Sequence, residues 1–399
     1  MAILLTNATV ATMTAGYGLI DDGAVVVQGD RITWVGQLCN LPAAYASLPR
    51  HDCGGHLLTP GLIDCHSHIV FGGNRAVEFE MRLNGATYEE VARAGGGILS
   101  TVRATRAASE EALLEQALAR ADLMMAAGAT TIEVKSGYGL TVEDELKMLR
   151  VARQIAHHRP LRVETTHLAA HAIPPEYTGR AMDYIDQVAI PSLRAAHAEG
   201  LVDAVDAFCE GIAFLPDQVE RLFTEARALG IPVKLHAEQL SDLKGTVLAA
   251  RFGALSADHI EYLGADGIAA MAKAGTVAVI LPGAFYTLRE TQKPPIQALR
   301  DAGIPMAVAT DFNPGTAPVA SLPLTMNMAC TLFRMTPVEA LLGTTAHAAR
   351  ALGLSDRGTI APGQLADLCL WDATHPAQLS YTIGATPLLA RMFGGQIDA

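Results

Sequence analysis

Basic residues, aromatic rings, cysteines and long apolar runs are all scarce in this chain of 399 residues. Lys and Arg number 29 against 41 Asp and Glu, a formal net charge of −12, and no basic block offsets that balance. Nucleic acid and anionic lipid are therefore excluded as principal partners. Aromatics make up 5%, too few for a platform that stacks bases. The six cysteines, Cys39, Cys53, Cys65, Cys209, Cys330 and Cys369, form no CxxC pair. So sparse a set excludes a disulfide scaffold and points to a reducing compartment. The best apolar stretch is cut by Lys273, which leaves no run of about 18 residues fit to span a bilayer. Met1 to Val10 lacks a basic start and is soon followed by Asp21 and Asp22, which argues against a secretory signal. A cytoplasmic location is expected. What the chain has in quantity is apolar residues, 50%, and 13 histidines: material for a large core and a first hint of chemistry.

The two ends of the chain read alike. Ala24 to Gln28 is β-branched, Gly29-Asp30 is a turn signal, and Arg31 to Val35 alternates polar with apolar. Near the other end, Gly358 to Ile360, Pro362-Gly363 and Asp367 to Trp371 repeat strand, turn, strand. Between them, apolar strand-like runs alternate with helical segments. Ser109 caps a helix through Ala127, with Glu110 and Glu111 in its first turn and Gly128 past its end. Thr141 to His158 and Pro216 to Leu229 are further helices. Eight strands are predicted: Gly61–His68, Thr130–Lys135, Leu161–His167, Val205–Glu210, Val233–His236, Ala257–Ile260, Thr276–Ile280 and Met306–Asp311. This alternation predicts an α/β fold, a (β/α)8 TIM-like barrel over residues 57–353. Residues 1–56 and 354–399 are expected to combine into a small β-sandwich domain. The competing open, doubly wound sheet finds no GxGxxG after the first strand.

Functional side chains of such barrels sit at the C-terminal ends of the strands. The first strand ends in His66-Ser67-His68, and residues two apart on a strand share a face. His236, His259 and Asp311 end the fifth, sixth and eighth strands. Imidazole and carboxylate together suit a divalent ion such as Zn²⁺ or Fe²⁺. The fourth strand ends in Phe208-Cys209-Glu210. With no lysine there to bridge two ions, one metal is expected. His157 and His158 read as helix-terminal cations, and His51, His56, His197, His347 and His375 lack motif support. His171 is placed facing the site, with His167 less directly implicated.

Pro60-Gly61-Leu62-Ile63-Asp64-Cys65-His66-Ser67-His68 resembles the first-strand signature of the metal-dependent amidohydrolase superfamily. Further segments, Phe71-Gly72-Gly73-Asn74-Arg75, Glu133-Val134-Lys135-Ser136-Gly137-Tyr138-Gly139-Leu140 and Thr310-Asp311-Phe312-Asn313-Pro314-Gly315, resemble the branch that opens imidazolone rings with water. The resemblance runs through essentially the whole chain. It implies 4-imidazolone-5-propanoate as an anionic small-molecule substrate and N-formimidoyl-L-glutamate as product, and it implies a homodimer. It implies a metal held by His66, His68, His236 and Asp311. Asp311 would also move the proton, and His259 would polarise the carbonyl or stabilise the oxyanion. Arg75 would bind the carboxylate, with Tyr138, His171, Asn313, Gly315 and Thr316 around the substrate. Asn313-Pro314-Gly315 also reads as a tight turn.

Some relatives carry a proton-shuttling glutamate three residues after the fifth-strand histidine. Here that position is Gln239, which cannot titrate and is read as a substrate contact. Glu238 is expected to point away from the site. Lys135 reads as part of a structural ion pair, and Gly95 to Gly97 as a lid or a passive loop. Two other functions fit the same motifs: a deaminase of a cyclic amidine or nucleobase-like ring, and a non-catalytic assembly protein on an amidohydrolase-like scaffold.

Overall fold

The computed structural model describes residues 2–86, 90 and 96–398. Two sheets of eight strands each organise the chain. Strands β1 (Ala2–Ala11), β2 (Leu19–Gln28), β3 (Arg31–Gln37), β4 (Arg50–Asp52) and β5 (Leu57–Pro60) come from the N-terminal end. They join β14 (Leu368–Trp371), β15 (Leu388–Phe393) and β16 (Gln396–Asp398) from the other end. The order is β16-β15-β14-β5-β1-β2-β3, with β4 on β1. The β1–β4 and β1–β5 pairs are parallel, the rest antiparallel. Alternation builds two apolar faces. Val25 and Val27 pack with Leu5, Val10 and Leu368, whereas Ala24 and Val26 pack with Leu4 under Trp34 and Tyr45.

The second sheet is all parallel and runs in chain order. It comprises β6 (Leu62–Asp64), β7 (Ala129–Lys135), β8 (Arg162–Ala170), β9 (Ala204–Cys209), β10 (Leu235–Ala237), β11 (Ser256–His259), β12 (Val277–Ile280) and β13 (Met306–Val308). All eight predicted strands are present. A parallel bridge between Ser67 and Phe312 joins the two ends, and Asp311 N–H donates to His66 O at 2.9 Å. Asp64 locks the seam, accepting from Thr310 Oγ1 at 2.5 Å and Thr310 N at 3.2 Å. The result is a (β/α)8 barrel. Its helices begin where their caps say. Ser109 Oγ accepts from Ala112 N for Glu110–Ala126, and Thr141 Oγ1 from Asp144 N for Val142–His158.

Period-two alternation sorts the barrel strands into an apolar outside and a charged inside. On β7, Ile132 and Val134 face the helical layer, while Glu133 and Lys135 are fully buried among other charges. Around β10, Leu235 and Ala237 join the outer core, and Lys234 and His236 turn inward, against Glu133 and Asp206. Leu57–Pro60 pairs with β1 and β14, so the chain crosses between sheets at Gly61. Trp371 fastens the junction. Its Nε1 donates to Thr59 Oγ1 at 2.8 Å, and its ring lies so close to Gly128 that a Cβ there would sit 2.5 Å away. None of the described helices is long and apolar enough to cross a membrane.

Candidate metal centre and active site

The strand ends bring His66, His68, His236, His259 and Asp311 together. All five are buried, between 0% and 3% exposed. Ligand atoms of His66, His68 and Asp311 lie within 4.8 Å of one another, as do those of His66, His236 and His259. Nε2 of His66 and His68 are 3.3 Å apart, and Asp311 Oδ1 is 3.5 and 3.3 Å from them. Local backbone makes this possible. His259 and Asp311 adopt left-handed φ of 76° and 53°, uncommon and costly for residues other than glycine. The turn at His259 breaks the alternation that would send Asp258 and His259 to opposite faces.

Protonation follows from the contacts. His66 Nδ1 lies 2.6 Å from Asp258 Oδ2, and His236 Nδ1 lies 3.0 Å from Asp206 Oδ2. Asp258 fixes the His66 ring proton on Nδ1 through a hydrogen bond, and Asp206, at ion-pair distance from His236 Nδ1 but off the hydrogen-bond line, favours the same tautomer there, so both Nε2 lone pairs face the cluster. Burial, reinforced for His66 by Lys135 and for His68 by His236, holds both imidazoles well below their usual pKa. Burial pushes His259 and His171 down to about 3. Neutral imidazoles are ligands; imidazoliums are not. Both ring nitrogens of His236 and Nδ1 of His259 are buried without a hydrogen-bond partner among the described residues. Converging lone pairs, a carboxylate and orphaned ring nitrogens fit a divalent cation. The charge agrees in sign: the carboxyl groups of Asp311, Asp258, Asp206 and Glu133 outnumber the ammoniums of Lys135 and Lys234 in this interior.

The remaining expected residues divide into wall and rim. His171 stacks on His68 at 5.4 Å between ring centroids, and Tyr138 packs against both at 6.1 and 5.3 Å. Burial, with Asp311 nearby, raises the Tyr138 phenol far above its usual pKa, so it stays a donor. Arg75 Nε is held by Glu78 Oε2 at 2.8 Å, and its Nη1 lies against Gly315. Asn313 Oδ1 accepts from Gly315 N at 2.8 Å and Thr316 N at 2.7 Å, so this residue builds the turn that carries Gly315 and Thr316. Gln239 is buried at 9% exposure. Glu238 does turn away, but strand alternation is not the reason. Its φ of 51° ends the strand and delivers the carboxylate to Thr246 N. His167 is spent on Ser192 Oγ at 2.8 Å, and His157 and His158 occupy a helix's last turn. Of the glycine loop, Gly95 lies outside the described residues.

Sequence reasoning passed over Asp206, Asp258, Glu133 and Lys234, and saw Lys135 only as part of an ion pair, which it is. Asp258 precedes His259 on the sixth barrel strand, but nothing local reveals a partner 192 positions away.

A buried His/Asp cluster at the C-terminal mouth of a (β/α)8 barrel is the site of a hydrolase of the amidohydrolase class, and the chain belongs to the amidohydrolase family, whose sequence pattern matches residues 57–397. Solved structures agree on the fold. A triazine hydrolase variant superposes with a TM-score of 0.74 at 19% identity, covering 99% of this chain and 94% of that one. Atrazine chlorohydrolase from Arthrobacter aurescens, complexed with zinc, gives 0.73 at 18% over the same shares. Within the family the chain belongs with the imidazolonepropionases. It is 64% identical to imidazolonepropionase of Ruegeria pomeroyi over 99% of both chains. It is 60% identical to that of Rhizobium meliloti over 98% of this chain and 95% of the other.

Proposed function

We propose that the chain hydrolyses 4-imidazolone-5-propanoate to N-formimidoyl-L-glutamate in the breakdown of histidine, using one Zn²⁺ or Fe²⁺ ion per subunit held by His66, His68, His236 and Asp311. The observation that carries this reading is the convergence of Nε2 of His66 and His68 on Asp311 Oδ1 at 3.3 to 3.5 Å. Bound there, a divalent ion lowers the pKa of a coordinated water toward about 7 and polarises a carbonyl.

The chain's own residues do the rest. Asp311 accepts the proton of the attacking water. Oxygen adds to the ring carbonyl carbon, the carbon–nitrogen bond breaks, and Asp311 returns the proton to the departing nitrogen. His259, kept neutral by burial, donates its N–H to the oxygen that gains charge. Arg75, its Nε already braced by Glu78, presents its Nη groups to the propanoate arm. Tyr138 and His171 wall the ring, Asn313, Gly315 and Thr316 form the floor beside Arg75, and Gln239 hydrogen-bonds the ring without titrating. Arg75 favours this substrate over a neutral nucleobase-like ring, which has no need of a cation. The same reading has the enzyme working in the cytoplasm as a homodimer.

Loss of freshly made imidazolonepropanoate, followed with and without chelator, tests it. Chelation should abolish turnover, and Zn²⁺ or Fe²⁺ should restore it. Full activity in metal-free protein, or no turnover by metal-loaded protein, would refute it.

A further inference from the structure

Beneath the histidines, the barrel interior holds charged side chains with no exposed surface. Lys135, Glu133, Asp206, Asp258 and Lys234 are all 0% exposed. Lys135 Nζ lies 2.8 Å from Asp206 Oδ2, 3.0 Å from Glu133 Oε2 and 3.7 Å from Asp258 Oδ2. Those aspartate oxygens are the ones that face imidazoles: Asp206 Oδ2 at His236 Nδ1, Asp258 Oδ2 at His66 Nδ1. One ammonium therefore stands between the two carboxylates that orient two histidines from different strands.

We propose that Lys135 is a positioning residue, which pins Asp206 and Asp258 against His236 and His66 and so fixes the tautomer in which both rings offer Nε2 to the metal. The inference rests on the metal centre proposed above.

The second oxygens show how completely the pair is held. Asp206 Oδ1 accepts from Ala207 N at 2.7 Å and His236 N at 3.1 Å. Asp258 Oδ1 accepts from Ser256 Oγ at 2.5 Å. Each aspartate has one oxygen tied to the scaffold and one shared between Lys135 and an imidazole. Without the ammonium, Glu133, Asp206 and Asp258 would repel one another in a medium that screens poorly. A carboxylate driven from its imidazole frees that ring to rotate, or to carry its proton on Nε2, where it blocks a metal bond. Partners of this kind are worth about 10- to 100-fold in metal affinity. Lys234 supplies the control. It is equally buried, but its Nζ contacts Glu133 Oε2 and Cys65 O, both at 2.8 Å, and it acts on Asp258 only through space, without the ion-pair contacts that Lys135 makes to both aspartates.

The test compares Lys135→Met with Lys234→Met in the full chain, since both delete one buried ammonium. Zn²⁺ affinity is measured against a competing chelator, Co²⁺ substitution is read in the visible spectrum, and kcat and KM are measured separately. Lys135→Met should bind Zn²⁺ about 10- to 100-fold more weakly, shift the Co²⁺ bands and lower kcat with KM within about twofold, because Arg75 is untouched. Lys234→Met should keep Zn²⁺ affinity within about threefold and the Co²⁺ bands in place. Should Lys135→Met not accumulate as folded protein, Lys135→Gln, of similar length and with one donor, takes its place with a smaller loss expected. Wild-type affinity and Co²⁺ bands in a folded Lys135 variant, or an equal loss in Lys234→Met, would overturn the inference alone. A wild-type chain that binds no metal would overturn the metal centre itself, and this inference with it.

Discussion

Gly315→Ala should weaken the grip on the substrate's carboxylate while sparing the chemistry. A Cβ at Gly315 would lie 2.2 Å from Arg75 Nη1 and 3.2 Å from its Cζ. Ordinary contact needs about 3.5 Å, so the guanidinium must retreat by about 1 Å. Asn313 Oδ1, at 3.5 Å, already tolerates the methyl. The obstructed atom ends a flexible side chain, and φ of Gly315 is not among the left-handed ones, so the folding cost should stay within about 1 kcal/mol. Binding suffers more. A hydrogen bond to a charged group contributes about 1.5–3 kcal/mol. Losing the alignment of one such bond corresponds to a rise in KM of about 10- to 150-fold, at about 1.4 kcal/mol per tenfold. The contact is made equally to substrate and transition state, so kcat should change little. Initial rates on fresh imidazolonepropanoate, a melting curve and the Arg75→Ala/Gly315→Ala double variant form the assay. Because the alanine acts through Arg75, the double variant should be no worse than Arg75→Ala, itself expected to raise KM. A KM within twofold of wild type for Gly315→Ala, or additive losses, would refute the reasoning.

Three further outcomes follow from other parts of the molecule. On the proposed mechanism Asp311→Asn removes a ligand's charge and the proton carrier, and should cut kcat by at least about 10²- to 10⁴-fold with an unchanged circular dichroism spectrum; near-normal activity would sink the proton role. Glu339 caps its helix with Thr336 and pairs with Arg300 at 2.6 Å; its Arg300 hydrogen bonds, with those from Thr336, outweigh burial and hold its pKa down to about 2. A carboxyl depressed on folding stabilises above its unfolded value of about 4.5 and loses that contribution as pH falls through about 2. The melting temperatures of wild type and Glu339→Gln should therefore converge between those values, modestly because the pair is partly exposed, whereas a pH-independent gap would contradict the pairing. Trp371→Ala opens a cavity at the junction of the two sheets and should cost about 3–5 kcal/mol, read from denaturant midpoints. A loss under about 1 kcal/mol would mean that the tryptophan does not fasten the junction.

The sequence disclosed the barrel well because its signals are local. Each strand is a short apolar run, and Ser109 and Thr141 mark helix starts whose cap bonds span three residues. The buried His/Asp cluster was legible for the same reason, since His66 and His68 sit two apart on one chain segment and His236, His259 and Asp311 lie at or just past the ends of their strands. Asn313 shows the limit. Asn313-Pro314-Gly315 predicted a turn, and the hydrogen bonds build it, whereas the substrate contact came only from the family resemblance, because no local pattern marks what a turn faces.

By itself, then, the sequence determined the alternation of strands and helices, the pairing of both termini and the identity of the inward-facing imidazoles, all of which depend on spacing along the chain. Only the tertiary structure decided what those imidazoles touch. His66 meets Asp258 across 192 positions, Lys135 meets Asp206 across 71, and His259 reaches the cluster through a left-handed turn that no periodicity foretells. Such contacts are set by barrel closure and by the need of buried charges to find partners in a medium without water, conditions that exist only once the chain has folded.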